Sequence, residues 1–328
     1  MAQALNKEDV YTWLVTKGYF PEAYVLPPCF EVTKYPGSDR LKVIILILTV
    51  FLVAQDSSDD RFLRFLFSFL EYQLGFGRIY FEVKKTKKGK TSFNPDISIF
   101  QEVHFPKTNL TDRTFGIIDP KIHSDIARRI SNHWYCVTSN IFHEENQVYS
   151  YSFPIPLDKN QPGDISHLRS GRMIYEWIEM AENDVASIAF QYKFLIKTDI
   201  KNFYPSIYTH SIPWSLHGKS FIRDKVNGKD NRNNYDLLGN CLDKLFQSAN
   251  DGCTNGIPIG PVVSDLVAEI VLSGVDRKLS QLLKDDKNDR NVTIVRFKDD
   301  YRILAKSESI GRTTIKMRLF RFCYAKKY

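Results

Sequence analysis

The sequence predicts an α+β fold, because helix-like and strand-like patterns both occur along the chain. It has 328 residues, of which 43% are hydrophobic and 25% charged, a composition typical of a globular protein with two or three packed regions. Helical periodicity is strongest before residue 192, with apolar residues three or four positions apart in 41–54 and 61–75. From Tyr192 onward, short apolar runs broken by acidic turns indicate strands.

Several further elements are expected in the first part of the chain. A helix is expected around Leu14, and residues 116–134 predict a strand, a turn and an amphipathic helix. Another helix is expected over 170–191. The lysine-rich run 84–90 is either a solvated loop or a loop that contacts phosphates.

Charge and cysteine content favour some classes of function over others. A net charge of +7 suggests a polyanionic partner, most simply a nucleic acid. The five cysteines form no C-x-x-C pair, which indicates reduced thiols and neither a zinc site nor a disulfide framework. The apolar run 43–54 is shorter than the roughly 20 residues of a membrane-spanning helix, and the N-terminus lacks a signal-peptide pattern. A cytoplasmic protein without membrane association is expected.

Two acidic features indicate a metal site. The stretch "FLIKTDI" predicts a buried central strand that ends at Asp199, and "VRFKDDYRILAK" predicts a β-hairpin with Asp299 and Asp300 at its tip. Adjacent like charges repel each other, but carboxylate oxygens are preferred ligands of Mg²⁺. A carboxylate at the end of a neighbouring strand would complete a site for two metal ions.

Between these features lies a glycine-rich loop followed by a helix. The loop is Gly256–Pro261, in which the glycines permit close approach to a ligand and Pro261 suits the first turn of a helix. A tight strand-to-helix turn is the purely structural alternative. The helix has one apolar face, formed by Val263, Leu266, Val267, Ile270 and Val271.

In this order, the strand, loop and hairpin resemble the palm of reverse transcriptases. The motifs of that family are D-x-x-x-[FY]-[FY], Gly-x-Pro-x-[GS] and aromatic-x-Asp-Asp. "DIKNFYPSIYTHSIPW" and "GIPIGPVVSDLVAEI" are similar to bacterial retron-like and abortive-infection (defence-associated) reverse transcriptases, and "FGIIDPKIHSDIARRI" to their fingers region. The resemblance implies a right-hand polymerase with fingers in 1–191 and a ferredoxin-like palm in 192–309. The tail, 310–328, departs from the family, and a thumb is expected to be largely or wholly missing.

The resemblance also implies an activity and partners. It implies an RNA-directed DNA polymerase of bacterial antiphage defence that takes a template, a primer and dNTPs. Either the chain is a truncated or frame-altered product, or a partner protein or a second copy supplies the thumb. Untemplated or protein-primed DNA synthesis is one alternative, and a non-catalytic fragment that binds nucleic acid or a partner is another. An RNA-dependent RNA polymerase shares the Asp-Asp hairpin, but an aromatic Tyr204 argues against it.

Catalytic and metal-binding roles follow from the matched motifs. By resemblance, Asp199 and Asp299 bind two Mg²⁺ ions, for which Mn²⁺ could substitute, and Asp300 completes the acidic cluster. The backbone carbonyl of Ile200 is expected to be an additional ligand. One ion would activate the primer hydroxyl, and the other would neutralise the triphosphate.

Five residues are expected to bind the nucleotide. Tyr204 matches the aromatic residue that abuts the sugar 2′ position and excludes ribonucleotides; otherwise it packs in the core. Asn255 and Gly256 stand where many relatives have Gln-Gly beside the incoming nucleotide. Phe297 replaces the usual tyrosine of the hairpin. Lys298 either meets phosphates or forms an ion pair with an aspartate.

Other polar residues carry weaker expectations. His210, Trp214 and His217 follow the first acidic motif, and the histidines are expected to be satisfied by neighbours and not catalytic. Arg169 and Arg172 precede a helix and could reach a triphosphate.

Overall fold

The computed structural model describes residues 5–16, 18–20, 81–85, 90–108, 111–152, 171–223, 231–285, 287 and 291–323, without the side chains of 107–108, 111, 171–178, 180 and 316–323. The helices expected in 41–54 and 61–75, and the possible contact of Arg169, lie outside these residues. The side chain of Arg172 is also not described.

The fold is α+β, as the sequence predicts. The described residues before 142 form three helices and two hairpins: α1 (Lys7–Val15), β1 (Lys84–Lys85), β2 (Thr91–Ser92), β3 (Gln101–Thr108), β4 (Thr111–Ile117), α2 (Pro120–Asn132) and α3 (Trp134–Ile141). Strands β1 and β2 pair with each other, as do β3 and β4, and both pairs are antiparallel.

The strand, turn and helix expected over 116–134 are confirmed. Helix α2 begins at Pro120, and the side chain of Asp119 accepts hydrogen bonds from the backbone N–H groups of Lys121 and Ile122 at 2.9 and 3.4 Å. An aspartate before a proline at the first helical position is a typical start signal, so this boundary is determined locally.

A four-stranded sheet organises the second half of the chain. Its strands are β5 (Val148–Ser150), β6 (Phe194–Asp199), β7 (Val292–Phe297) and β8 (Asp300–Ala305). They lie in the order β5-β7-β8-β6, with β5 parallel to β7 and the other neighbours antiparallel. The predicted hairpin is therefore confirmed as β7–β8.

The position of β6 differs from the prediction. This strand lies at an edge of the sheet and, within the described chain, pairs only with β8. Phe194 and Leu195 are 38% and 48% exposed, so β6 is not a buried central strand. The apolar run predicts a strand, but its place in the sheet depends on pairing with a segment about one hundred residues away.

The other regular elements of the described chain are helices. They are α4 (Gly171–Ile188), a 3₁₀ turn (Ala189–Gln191), α5 (Phe203–Ser206), α6 (Ser211–His217), α7 (Lys219–Arg223), α8 (Leu238–Ser248), α9 (Val262–Asp285) and α10 (Glu308–Cys323). The helix expected over 170–191 is confirmed as α4 and the 3₁₀ turn. The tail that follows the predicted palm is helical as far as Cys323.

Helix α9 is buried on nearly all sides. The predicted apolar face is buried, but Asp265, Glu269 and Asp276 on the same helix are only 3%, 2% and 1% exposed. The predicted apolar face is therefore confirmed, and other elements cover the acidic side of the helix as well. Its acidic residues must find partners inside the protein.

One hydrophobic core joins the two halves of the chain. It includes Leu14 of α1, Ile122 of α2, Leu266 of α9 and Ile303 of β8. The core thus has members on both sides of the boundary predicted at residue 191, and the division into fingers and palm stays a prediction.

Two of the expectations concern membrane-spanning helices and the state of the cysteine thiols. Within the ranges described above, no helix has the length and apolar content required to cross a bilayer. The apolar run 43–54 lies outside those ranges. Cys136, Cys241 and Cys253 are free thiols.

Candidate active site

The hairpin tip is a two-residue connection with an unusual backbone. Phe297 pairs with Asp300, which leaves Lys298 and Asp299 as the connecting residues. Lys298 has a φ of 52°, in the left-handed region that residues other than glycine, asparagine and aspartate seldom adopt. A two-residue hairpin needs positive φ in its turn, so a lysine here carries a conformational cost of about 1–2 kcal/mol. Strained residues of this kind are concentrated at functional sites.

Pairing between β6 and β8 brings two predicted carboxylates together. Asp199 lies opposite Asp300 in the register, and the Ile200 N–H donates a hydrogen bond to the Asp299 carbonyl at 3.3 Å. Burial raises the pKa of Asp299, and the charge of Asp199 and a hydrogen bond between the two carboxyl groups raise it further. Two adjacent carboxyl groups of this kind favour a shared proton or a bound cation.

The third carboxylate has a different neighbour. The side chain of Asp300 is 47% exposed, and its Oδ2 lies 3.7 Å from Nη2 of Arg302. In the described part of the chain, no group of three or more His, Cys, Asp or Glu side chains is arranged to hold a metal ion. The structure therefore has Asp199 beside Asp299 and opposite Asp300 in the register, but these three described carboxylates are not arranged as one metal site. The ligand role of the Ile200 carbonyl stays a prediction.

Lys298 and Tyr204 both contact Asp265, a residue that the sequence motifs did not indicate. The Lys298 ammonium lies 3.4 Å from Oδ2 of Asp265, and the Tyr204 hydroxyl donates a hydrogen bond to Oδ1 of the same carboxylate. The ammonium also lies 6.0 Å from the centroid of the Tyr204 ring. Of the two roles considered for Lys298, the structure contains the ion pair.

The ring of Tyr204 is largely covered. Its residue is 7% exposed, and the ring contacts that of Phe203 with centroids 5.2 Å apart. The Tyr204 side chain therefore packs against Phe203 and also lies close to Lys298. The role of Tyr204 in excluding ribonucleotides stays a prediction.

The loop with Asn255 and Gly256 lies against the segment that follows β6. Gly256 has a φ of 89°, and its N–H donates to the Ile207 carbonyl at 2.9 Å. A Cβ atom at this position would lie 3.3 Å from the Pro205 carbonyl oxygen, so the positive φ favours glycine and the contact would be tight for any side chain. The carbonyl of Asn255 accepts a hydrogen bond from Asn250 Nδ2 at 2.9 Å, which fixes the backbone before the glycine.

A buried ionic network lies directly behind the hairpin. Arg296 is 1% exposed and donates to Glu269 and Asp276, each at 2.8 Å. The Tyr301 hydroxyl donates to the other oxygen of Asp276 at 3.1 Å, and Arg296 Nη1 also reaches the Lys298 carbonyl at 3.3 Å. The network therefore connects helix α9 to both strands and to the turn that carries Asp299.

The pKa values within this network reflect burial and the excess of negative charge. Burial raises the pKa of Asp276 to about 6, against the attraction of Arg296. Burial also works to lower the pKa of Arg296, but the charges of Asp276 and Glu269 raise it well above its ordinary value. One guanidinium thus compensates two carboxylates.

The sequence does contain a pattern that indicates the buried acidic residues of α9 and their partner Arg296. Asp265, Glu269 and Asp276 are four and seven residues apart, a spacing that places them on one face of a helix. Acidic residues in so apolar a segment indicate buried partners, and Arg296 interrupts an otherwise apolar strand in the same way. Which acid pairs with which base depends on the tertiary structure.

The histidines are held by neighbours, as expected. His210 Nδ1 lies 2.5 Å from Oδ2 of Asp243, and the Gly239 N–H donates to His217 Nε2 at 3.0 Å. The hydrogen bond to Asp243 raises the pKa of His210, whereas burial lowers that of His217. These contacts account for both side chains structurally.

Comparisons with known proteins find distant likeness among solved structures. No family model and no curated protein matches the sequence. Among solved structures, the telomerase of Candida albicans in complex with a TWJ fragment of telomeric RNA matches with 11% identity and a TM-score of 0.38. The match covers 87% of this chain and 53% of the telomerase chain, so this chain spans about half the length of that protein. A likeness of this size carries no inference about function, which must come from the side chains.

Proposed function

We propose that this chain is an RNA-directed DNA polymerase that works by metal-assisted nucleotidyl transfer. The observation that carries the proposal is the interaction between the carboxyl groups of Asp199, at the end of β6, and Asp299, in the adjoining hairpin turn beside Lys298. Carboxylates on a strand end and a hairpin are held by backbone pairing, so they are positioned before any ligand binds. In this interpretation, the sheet with its covering helices is the palm.

Mg²⁺, with Mn²⁺ as a substitute, is the proposed metal. Asp199 and Asp299 supply carboxylate oxygens, and the raised pKa of Asp299 indicates negative charge that a cation would stabilise. Asp300 would join them if its side chain left Arg302, a contact of 3.7 Å at an exposed position. When bound, the metal supplies activation of the primer hydroxyl and neutralisation of phosphate charge.

The remaining residues would bind and orient the nucleotide. Lys298 has an Asp265 partner at 3.4 Å, and a triphosphate could take that partner's place. Release of Lys298 would leave Asp265 with the Tyr204 hydroxyl, which keeps the ring in position beside the sugar. Gly256 would allow the loop backbone to approach the nucleotide closely.

The proposed partners are a nucleic acid template, a primer and dNTPs. A net charge of +7 supports a polyanionic partner. Similarity of the sequence motifs to bacterial defence-associated enzymes supports a role in resistance to phage. A partner protein or a second copy of the chain is a further proposed partner.

Nucleotide incorporation by the purified chain tests this function. The assay contains Mg²⁺ with either dNTPs or NTPs, with and without a primed RNA template, and Asp299→Ala is the negative control. Template-dependent incorporation of dNTPs that the control lacks would support the proposal. Incorporation without a template would support untemplated or protein-primed synthesis instead. A folded chain that incorporates nothing under any condition would contradict polymerase activity and favour a binding role.

Replacement of Tyr204 tests how dNTPs are selected. In Tyr204→Ala, the preference for dNTPs over NTPs is expected to fall about tenfold or more, because the space beside the sugar 2′ position is no longer filled. Tyr204→Phe should keep the preference, since it keeps the ring and loses only the hydrogen bond to Asp265. Phe203→Leu is the matched control in the adjacent buried ring. An unchanged preference in Tyr204→Ala would exclude this role.

A further inference from the structure

We propose that a second site on this chain binds single-stranded nucleic acid. The site is the aromatic–basic surface, which we define by five residues that the proposed catalytic chemistry does not use: Tyr208, His210, Trp214, Lys219 and Arg223. The first three are partly exposed, and both cations are exposed. The chemistry of the surface is that of a stacking platform with phosphate-binding cations along its edge.

The three rings form one compact group. The Tyr208 ring lies 4.8 Å from the His210 ring and 5.7 Å from the Trp214 ring, measured between centroids, with interplanar angles of 82° and 60°. His210 and Trp214 are 6.5 Å apart. Edge-to-face contacts of this kind hold the rings in fixed orientations, so a base would meet a preformed surface.

The carboxylate behind the rings is buried and bonded to two side chains of the protein. Asp243 is 8% exposed, and its two oxygens are occupied by His210 Nδ1 at 2.5 Å and by Gln247 Nε2 at 2.6 Å. It holds the His210 ring from the protein side. The exposed side of the group therefore carries only aromatic and basic atoms of the five defined residues.

The turn at Gly218 places Lys219 and Arg223 close to Trp214. Helix α6 ends at His217, Gly218 has a φ of 89°, and α7 begins at Lys219. This reversal places the Lys219 ammonium 4.7 Å from the centroid of the Trp214 ring, and the Arg223 guanidinium carbon 6.0 Å from it. Lys219 and Arg223 of α7 therefore both lie over the Trp214 ring of α6.

A nucleotide would replace these contacts with stronger ones. An exposed cation–π contact is weaker than the stacking of a base on an aromatic ring, and the released cations would pair with the adjacent phosphates. Bases inside a duplex are already stacked and cannot reach the ring. The surface therefore fits a single strand and does not fit a duplex.

The surface adjoins the loop assigned to nucleotide binding. Tyr208 pairs with Asn255 in an isolated antiparallel bridge, and the Thr209 N–H donates to the Thr254 carbonyl at 2.9 Å. A bound strand could thus continue past the candidate active site. This continuation rests on the proposed function, whereas binding of a single strand to the surface does not.

Fluorescence anisotropy without Mg²⁺ or dNTPs tests the binding alone. The probes are labelled oligo-dT and oligo-U of about 12 nucleotides and a duplex of the same length. We expect the wild-type chain to bind the single strands more tightly than the duplex, and the two single strands distinguish DNA from RNA. Equal affinity for duplex and single strand would overturn the proposal in favour of general charge attraction.

Two variants separate stacking from charge. Trp214→Ala should weaken single-strand binding at least about tenfold, while Trp214→Phe, which retains a ring, should stay close to wild type. In the Lys219→Ala/Arg223→Ala chain, the slope of log K against log salt should fall by about 1.4, since two phosphate contacts are lost. The matched control is Lys7→Ala/Arg312→Ala, which removes one lysine and one arginine at exposed positions elsewhere.

The same variants also define the results that would contradict the proposal. Wild-type affinity in a folded Trp214→Ala chain, verified by circular dichroism, would overturn the proposal. If that chain does not fold, an unchanged salt slope in the Lys219→Ala/Arg223→Ala chain would overturn it independently. A chain that fails to incorporate nucleotides but shows the expected binding pattern would contradict the polymerase function and leave this inference standing.

Discussion

The Asp299→Ala chain is expected to lose nucleotide incorporation by a factor of at least about 10³. Asp299 is adjacent to Asp199, and together they supply the carboxylates of the proposed Mg²⁺ site. Metal stabilisation of the transition state is worth several kcal/mol, and each 1.36 kcal/mol corresponds to about tenfold in rate. The measurement is template-dependent incorporation of dNTPs at saturating Mg²⁺. Asp112→Ala, which removes an exposed carboxylate on β4, is the matched control and should retain full activity.

A second measurement separates the loss of a metal ligand from unfolding. Burial and the charge of Asp199 raise the pKa of Asp299, so the folded chain loses stability as pH rises from the ordinary range of aspartate through that raised pKa. Without Mg²⁺ at neutral pH, the variant should therefore melt at or above the wild-type temperature. Added Mg²⁺ should raise the melting temperature of the wild type and leave that of the variant unchanged. Equal stabilisation of both chains, or full activity of the variant, would contradict the assigned site.

Substitution of methionine for Arg296 is expected to reduce the free energy of unfolding by about 3–5 kcal/mol. The guanidinium is 1% exposed and lies 2.8 Å from both Glu269 and Asp276. Its removal would leave two buried carboxylates without a compensating cation, although methionine approximately preserves the volume of the stem. The hydrogen bond to the Lys298 carbonyl would also be lost, so the turn that carries Asp299 would lose a support.

Chemical denaturation of three chains measures this effect. Arg302→Met, on the neighbouring strand, should cost about 1 kcal/mol or less, because its partners Glu182 and Asp300 are 58% and 47% exposed. Adding Glu269→Gln and Asp276→Asn to Arg296→Met should recover part of the lost stability, since no uncompensated charge then remains. A loss below about 1 kcal/mol in Arg296→Met alone would show that the network contributes little to stability.

Local sequence patterns were sufficient for most elements near the site. The Asp119-Pro120 pair determined the start of α2, and the alternation of apolar runs and acidic turns located β6, β7 and β8. These signals act over a few residues, through capping, side-chain period and turn chemistry. The same signals predicted Asp199 at a strand end and Asp299 and Asp300 at the hairpin tip, whereas the structure has Asp299 in the turn and Asp300 as the first residue of β8.

Long-range contacts decided the rest. The sequence by itself determined the α+β class, the hairpin and the strand-end carboxylates, because these depend on local periodicity and turns. Only the tertiary structure decided that β6 lies at the sheet edge and that Lys298 pairs with Asp265. It also placed Arg296 between Glu269 and Asp276 on α9. Such partners are chosen by packing and burial, since a buried charge pairs with whichever opposite charge the fold brings within reach.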